Sequence, residues 1–396
     1  MEPLELQKYL RFPGKSPETL KAELGIDFST YENLVIFNYN QIDSPKTHPI
    51  VMECRGIILE RDSWGIISYV MKRFFNDFEV QEFSSTFDFS NATALEKLDG
   101  SLISVFNYKG RWLMATRGVI ENSTLVGFSN INFRDLFYAT TQQYSNFWAK
   151  IDKNYCYCFE LTSPENRIVT VYTERRLHLL TMRSVASWEE VTPEGLLGNA
   201  ELLGVSLPSR TVFNGDRDSL LELAKKLATL QEGFVAVDYT KKDSDGISFK
   251  RLKIKNPSYV AIHHLKNRAG RSLRSLASLV YDCQTDEFLG YFQEFKPFID
   301  SVQKSYDEYR VSIQQEVESL QEFFNQNRTA ETRKAFALKV CKSKNAAFLF
   351  QLYDGRVKSL SEFLNMLEKT KTRKYLEKYL VEQLKLKDQN IYSVEE

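Results

Sequence analysis

Lys97 lies between an apolar approach and a strand-like run. It stands in Glu96-Lys97-Leu98-Asp99-Gly100-Ser101, ahead of Leu102–Tyr108, and Gly100 permits a sharp backbone turn beside it. Lysine is protonated at neutral pH, with a reference pKa of roughly 10.4, so it attacks an electrophile only where burial or neighbouring cations favour the neutral amine. Asp-Gly is also a common turn dipeptide, and taken alone the stretch reads first as an ordinary surface hairpin.

Further stretches bear on that choice. Along Tyr155–Leu161, strand alternation puts Cys156, Cys158 and Glu160 on one face and Tyr155, Tyr157, Phe159 and Leu161 on the other. Glu160 then either faces a space or is a solvated residue of a half-buried sheet. Glu232 opens Glu232-Gly233-Phe234-Val235-Ala236-Val237 where a helix over Asp218–Leu230 passes into a strand, and Gly233 is expected to let a ligand approach the backbone. In Lys250-Arg251-Leu252-Lys253-Ile254-Lys255, alternation sets Arg251, Lys253 and Lys255 on one face. Three like charges there are either solvated or bind a polyanion such as a triphosphate. Arg55, Arg73 and Arg117 add guanidinium forks suited to phosphate, with Phe74 and Phe75 as an aromatic pair.

The elements that must hold these residues are short and mostly strands. A broken helical pattern over residues 1–30 is followed by expected strands at Asn33–Tyr39, Gly56–Leu59, Ile66–Val70, Leu102–Tyr108 and Arg111–Thr116, with Lys109-Gly110 as a tight hairpin turn. Strands are also expected at Tyr155–Leu161, Ile168–Tyr172, Leu177–Met182, Phe234–Tyr239 and Ser248–Ile254, and helices at Phe133–Ala149 and Asp218–Leu230. Past Asn256-Pro257 the period is helical: Leu265–Tyr281, Phe298–Asn325, Thr332–Leu352 and Ser359–Leu386. The fold class expected is α+β, with antiparallel sheets and flanking helices over residues 1–257 and an all-α C-terminal domain over 258–396.

Composition narrows the partners. The 396-residue chain is 43% hydrophobic and carries 52 Lys plus Arg against 52 Asp plus Glu, so a nucleic-acid partner must be met by a local basic surface. The lysine-rich stretch Lys369–Lys378 reads as a solvated helix face or, alternatively, an RNA contact. The amino terminus lacks a basic n-region and an apolar h-region, and no apolar run reaches the length of a membrane span, so the expectation is a soluble, cytoplasmic protein. Its five cysteines are scattered, as expected of reduced thiols, and neither they nor the His263-His264 pair has zinc-site spacing.

Taken in order, Glu53-Cys54-Arg55-Gly56, Arg73-Phe74-Phe75-Asn76, Lys97-Leu98-Asp99-Gly100-Ser101, Arg117-Gly118, Phe159-Glu160-Leu161 with Pro164–Val169, Glu232–Val237 and Lys253-Ile254-Lys255 resemble the bacteriophage-type RNA ligase 1 family. That family belongs to the covalent nucleotidyltransferases, and the resemblance covers roughly residues 30–257. It implies an adenylyltransferase domain that uses ATP and Mg²⁺, for which Mn²⁺ can substitute, to seal RNA 5′-phosphate and 3′-hydroxyl ends through lysyl-AMP and RNA-adenylate intermediates. By the same resemblance Lys97 is the nucleophile, with Asp99 and Gly100 shaping its loop. Arg55, Arg73 and Arg117 would serve ATP or RNA phosphates, Lys253 and Lys255 would contact the phosphates, and Phe75 and Tyr39 would support the nucleotide pocket, while Glu160 would bind the adenylate ribose or a metal ion and Glu232 would help hold a divalent ion. The implied protein is a monomer acting in RNA repair, with a nicked tRNA as a candidate substrate. Arg73 and Arg117 stand where the phage enzyme usually has lysine, which keeps the charge but removes an acid-base role. The cations around Lys97 are expected to depress its pKa by like-charge repulsion. The alternatives are a DNA ligase or capping-type nucleotidyltransferase, and a non-catalytic RNA-binding protein that retains the fold. No Gly-x-x-x-x-Gly-Lys-Ser/Thr phosphate loop marks a fused kinase.

Overall fold

The structure, a computed structural model, describes residues 2–260 apart from 42 and 128, then 262, 263, 285, 289 and 296–357 apart from 344. The expected helices at Leu265–Tyr281 and Ser359–Leu386, the Lys369–Lys378 stretch, His264 and Cys283 lie outside the described residues. The chain divides into two compact units after His264.

The first unit carries three four-stranded sheets. Its helices are α1 (Glu5–Arg11), α2 (Pro17–Leu24), α3 (Pro49–Glu53), α4 (Gln81–Ser85), α5 (Phe133–Thr141), α6 (Phe147–Lys150), α7 (Pro193–Leu203) and α8 (Arg217–Lys226). One sheet runs β1 (Ile26–Tyr31), β2 (Leu34–Tyr39), β3 (Arg55–Glu60), β4 (Ile66–Ser68) in that order. The second has the order β10-β5-β11-β12, with β5 at Ala92–Glu96, β10 at Arg210–Thr211, β11 at Gly233–Lys242 and β12 at Phe249–Lys255. The third has the order β7-β6-β8-β9, with β6 at Ser101–Tyr108, β7 at Arg111–Ala115, β8 at Tyr155–Thr162 and β9 at Arg176–Ser184. Every ladder within these sheets is antiparallel.

Local chemistry accounts for several of these elements. The β6–β7 hairpin turns on Lys109 and Gly110, both at positive φ (51° and 81°), the backbone that a two-residue hairpin of this twist requires. Helix α7 begins with Thr192, whose side chain accepts from the Gly195 N–H, has proline in its first turn, and ends on Gly204 in the left-handed conformation. The two faces of β8 serve different cores. Cys156 and Cys158 pack with Tyr108, Ile58 and Val70, whereas Tyr157, Phe159 and Leu161 pack with Phe137, Phe147 and Leu179. Each face removes apolar side chains from water, so the strand is held on both sides.

Some expectations fail at defined places. Ile168–Tyr172 is not a strand, because the Val169 and Thr170 N–H groups are taken by the Asp99 carboxylate and not by a neighbouring strand. The helix expected over Phe133–Ala149 is two helices with a turn at residues 142–146, where Asn146 adopts φ 57°. The helix expected to reach Leu230 stops at Lys226.

The second unit is helical in its described residues: Lys296–Ser319, Gln321–Asn325, Ala330–Val340 and Ala346–Tyr353. The continuous helices expected over 298–325 and 332–352 break at Leu320 and at residues 341–345. Their shared core centres on Phe336, stacked 4.2 Å from Tyr353, with Ile313, Val340, Phe348 and Leu349 around it. Among the described residues no helix is long and apolar enough to cross a membrane.

Candidate active site

The Lys97 loop is held by hydrogen bonds from several segments of the first unit. The Lys97 N–H donates to the Gly233 carbonyl (2.9 Å), which ties the end of β5 to the start of β11. Asp99 is buried, and its Oδ2 accepts from the Val169 and Thr170 N–H groups (2.7 Å each) while its Oδ1 accepts from the Tyr259 hydroxyl (2.6 Å). The Asp99 N–H donates to Tyr172 Oη (3.0 Å) and the Gly100 N–H to Glu160 Oε1 (3.0 Å). Asp99 is therefore a positioning residue for the loop, with its oxygens fully engaged by the protein. A Cβ on Gly100 would lie 2.4 Å from the Leu161 carbonyl oxygen, so only glycine lets the loop close on β8.

Gly233 is also confined, though not by a ligand. It sits at φ 140°, and a Cβ there would lie 2.2 Å from the Ile254 carbonyl oxygen of β12. The expected ligand approach is replaced by the approach of a neighbouring strand. Glu232, one residue earlier, is buried; its loop is tethered by the Asn256 side chain, which donates to the Ala228 and Gln231 carbonyls (3.0 Å each).

Lys97 Nζ lies 2.6 Å from Glu232 Oε2, and Lys255 Nζ lies 3.2 Å from Glu232 Oε1. Burial works against the Lys97 ammonium, but Glu232, Glu160 and Asp99 outweigh it, so its pKa stands above the ordinary lysine value. This reverses the expectation of a depressed pKa: the charges nearest the amine are carboxylates, not the arginines. The cations act on Lys253 instead, whose pKa is pushed well below its ordinary value first by burial and then by Arg55, Lys97 and Lys255. For Glu232, burial pushes the carboxyl up, but Lys97 and Lys255 hold it below its usual range. Glu160 is pushed up to about 7, chiefly by burial and further by Glu232, against the pull of Lys97.

Lys97, Glu160, Arg55 and Lys253 line one cavity between the second and third sheets, together with Phe74, Leu98, Val235 and Val237. Lys253 Nζ lies 4.6 Å from the centre of the Phe74 ring and the Arg55 guanidinium 4.8 Å from it. The Glu232 and Glu160 carboxylates, whose charges both act on Lys97, are oxygen donors of the kind that suits a hard divalent cation such as Mg²⁺ or Mn²⁺. Among the described residues no group of three or more His, Cys, Asp or Glu could hold a metal, so such an ion would draw on the carboxylates and on ligand oxygens.

Residues 53–259 match the family described as RNA ligase. The chain belongs to that family. A protein of Autographa californica nuclear polyhedrosis virus named as a bifunctional polynucleotide kinase/RNA ligase is 30% identical over 315 residues, covering 74% of this chain and 43% of the relative. This ligase-family chain thus spans less than half of that relative. An RNA ligase of Rhodothermus phage RM378 is 24% identical over 403 residues, covering 87% of this chain and 90% of the relative. Among solved structures, an archaeal ATP-dependent RNA ligase overlaps 67% of this chain and 64% of its own, at 12% identity and a TM-score of 0.42.

Other expected site residues of the ligase-family chain form a second cluster. Arg73 lies 4.0 Å from the Tyr39 ring centre and 5.4 Å from that of Phe75, and Arg117 lies 5.3 Å from Tyr39 on the same ring system. Tyr39, Arg73 and Phe75 are all buried. The cluster adjoins the cavity through Gly56, where a Cβ would lie 3.1 Å from the Arg117 carbonyl oxygen, and through Phe75, whose carbonyl accepts from the Lys253 N–H (2.9 Å).

Arg251 shares the cavity-lining face of β12 with Lys253, as alternation predicts, but its guanidinium is committed to a carboxylate. It is bonded to Glu190 through Nη1 (2.8 Å) and Nη2, and Glu190 also holds the fully buried Arg183 (3.2 Å). Tyr259 and Tyr172, which fix Asp99, were not among the expected site residues. The cavity-lining Val235, Val237 and Tyr239 were legible in principle, since they alternate with the core-facing Phe234 and Ala236 along β11.

Proposed function

We propose that this protein is an ATP-dependent RNA ligase that joins RNA 5′-phosphate and 3′-hydroxyl ends, with Lys97 as the residue that carries AMP. The observation that carries the reading is the position of Lys97 Nζ on a cavity shared with Glu160, Arg55 and Lys253 and 2.6 Å from Glu232, in a chain of the RNA ligase family. Nucleotide transfer is assigned to residues 1–257, with the helical region 258–396 following it, in a monomer acting in the cytoplasm.

The reaction needs a neutral Lys97 amine. Its lone pair would attack the α-phosphorus of ATP while its proton passes toward Glu232 Oε2. The phosphorus–nitrogen bond forms as the bond to the β-phosphate oxygen breaks, and the electron pair leaves with pyrophosphate. A divalent cation bound by Glu160 and Glu232 would supply positive charge that lowers the lysine pKa and neutralises phosphate oxygens. Lys253, Lys255 and Arg55 would orient the phosphates, and Arg73, Arg117, Tyr39 and Phe75 would buttress them from behind. AMP would then pass to the RNA 5′-phosphate, and a 3′-hydroxyl would displace it.

Incubation with ATP labelled at the α-phosphate and Mg²⁺ or Mn²⁺ tests the first step. Covalent label that is absent in Lys97→Ala is the expected result. Folded wild-type protein that takes up no label after pyrophosphate has cleared any bound AMP would sink the reading. Cleaved tRNA is the proposed physiological substrate class; equal sealing of nicked tRNA and an unstructured 5′-phosphorylated oligonucleotide would argue against it.

A further inference from the structure

Immediately after the buried Arg73-Phe74-Phe75 run, the chain exposes an aromatic ring. Phe78 is 69% exposed, whereas Phe75 is 1% exposed. Its backbone is left-handed, with φ 65°, an outlier for a bulky residue. That conformation is held in place: the Phe78 N–H donates to Ser84 Oγ (3.2 Å) and the Asp77 N–H to the Lys253 carbonyl (2.8 Å).

One face of the Phe78 ring is already occupied by a cation. The Arg217 guanidinium lies 3.9 Å from the ring centre. Asp77, itself buried to 4% side-chain exposure, grips that guanidinium with both oxygens (3.0 Å to Nε and 2.9 Å to Nη2) and so fixes its plane. The result is a preorganised stack of guanidinium and ring whose remaining surface is in solvent. An apolar ring held in water on a strained backbone brings no burial to the fold. A nucleobase is the ligand that such a surface fits, because every base has a π-face and a neighbouring cation adds to the stack while attracting phosphate.

We propose that Phe78, stacked on Arg217, is a platform on which a base of single-stranded RNA stacks beside the nucleotide cavity. Its backbone is continuous with that cavity through the Asn76–Lys253 bridge. The assignment of RNA as the ligand rests on the ligase reading above.

The test measures binding of a fluorescent 5′-phosphorylated RNA oligonucleotide to the full chain without ATP, beside an otherwise identical oligonucleotide with abasic positions. Phe78→Gly is the informative variant because glycine suits φ 65° at least as well as phenylalanine, so folding is preserved while the ring is removed. Expected are RNA binding weakened about five- to hundredfold in Phe78→Gly, near-wild-type binding in Phe78→Tyr, and abasic RNA bound equally by all three proteins. Wild-type affinity for intact RNA in Phe78→Gly, or an equal loss for abasic RNA, would overturn the platform. Failure of wild-type protein to take covalent label from ATP would count against the ligase reading instead, and the base-dependent binding difference would be read separately.

Discussion

Glu232 holds two lysines at once, Lys97 through Oε2 and Lys255 through Oε1. The three side chains form a charge triad in which one buried negative group restrains two partly exposed positive ones. Truncating the shared partner of such a group leaves two ammoniums facing one another, which is costlier than losing an exposed pair. Glu232→Gln is expected to lower stability by about 1–3 kcal/mol, less than for a fully buried pair because both lysines reach solvent. It is also expected to slow Lys97 labelling by about 10²–10⁴-fold if Glu232 takes the lysine proton. Urea unfolding and single-turnover labelling separate the two effects.

Gly233→Ala tests whether the backbone, and not a ligand, dictates glycine there. With a Cβ 2.2 Å from the Ile254 carbonyl oxygen and φ at 140°, the strands must part. A loss of about 1–3 kcal/mol is expected in urea unfolding. Because the Gly233 carbonyl accepts from the Lys97 N–H, labelling should fall as well. A variant as stable as the wild type would contradict the strand-approach account.

For Asp99, the count of donors gives the prediction. Three hydrogen bonds reach its carboxylate, two of them from backbone N–H groups on Oδ2. Asp99→Asn can keep one acceptor oxygen toward Val169 and Thr170, but it presents an amide donor to the Tyr259 hydroxyl and removes the charge. A loss of about 1.5–3 kcal/mol is expected, and a smaller one for Tyr259→Phe. Thermal unfolding of both single variants and the double variant would show whether the losses are coupled, as a shared bond requires.

The Glu160 carboxyl at about 7 sets a pH signature for the ligand-free protein. Its folded pKa is raised above the unfolded carboxylate value, so the folded protein holds the extra proton. The associated stability is fully present below the unfolded pKa and is lost as pH rises through about 7. Glu160→Gln cannot lose that proton. The stability advantage of wild type over Glu160→Gln should therefore shrink by on the order of 1–3 kcal/mol between acidic and mildly basic pH, as followed by urea midpoints. A difference independent of pH would count against a raised carboxyl.

Much of this arrangement was legible from residue order. Period-two patterning located β6, β8, β11 and β12, and the two faces of β8 follow it directly. Strand β5, which delivers Lys97, was not legible. Its Ala-Thr-Ala-Leu-Glu has the composition of a helix, and only pairing with β11 makes it a strand. Ile168–Tyr172 failed in the opposite way, since strand-like side chains say nothing about an Asp99 carboxylate seventy positions away in the chain that takes the N–H groups. Helix α7 carried a readable signal, Thr192-Pro193 at its start and Gly204 at its end. The sign of the Lys97 shift was beyond any count of charges. Alternation lists which cations share a face, but the field at Nζ is set by the groups that the fold brings to it, led by Glu232 at 2.6 Å and then Glu160.

The opposed shifts of Lys97 and Lys253 give the protein an asymmetric chemical vulnerability. The two amines sit a strand apart, one kept charged and the other driven toward its neutral, nucleophilic form. Cyanate, acyl phosphates and aldehydes react with neutral amines. In the ligand-free protein a reagent small enough to enter the cavity, such as cyanate, is therefore expected to favour Lys253 over Lys97. Peptide mapping after brief cyanate treatment would then place the first cavity adduct on β12 and find the amine that we propose carries AMP intact.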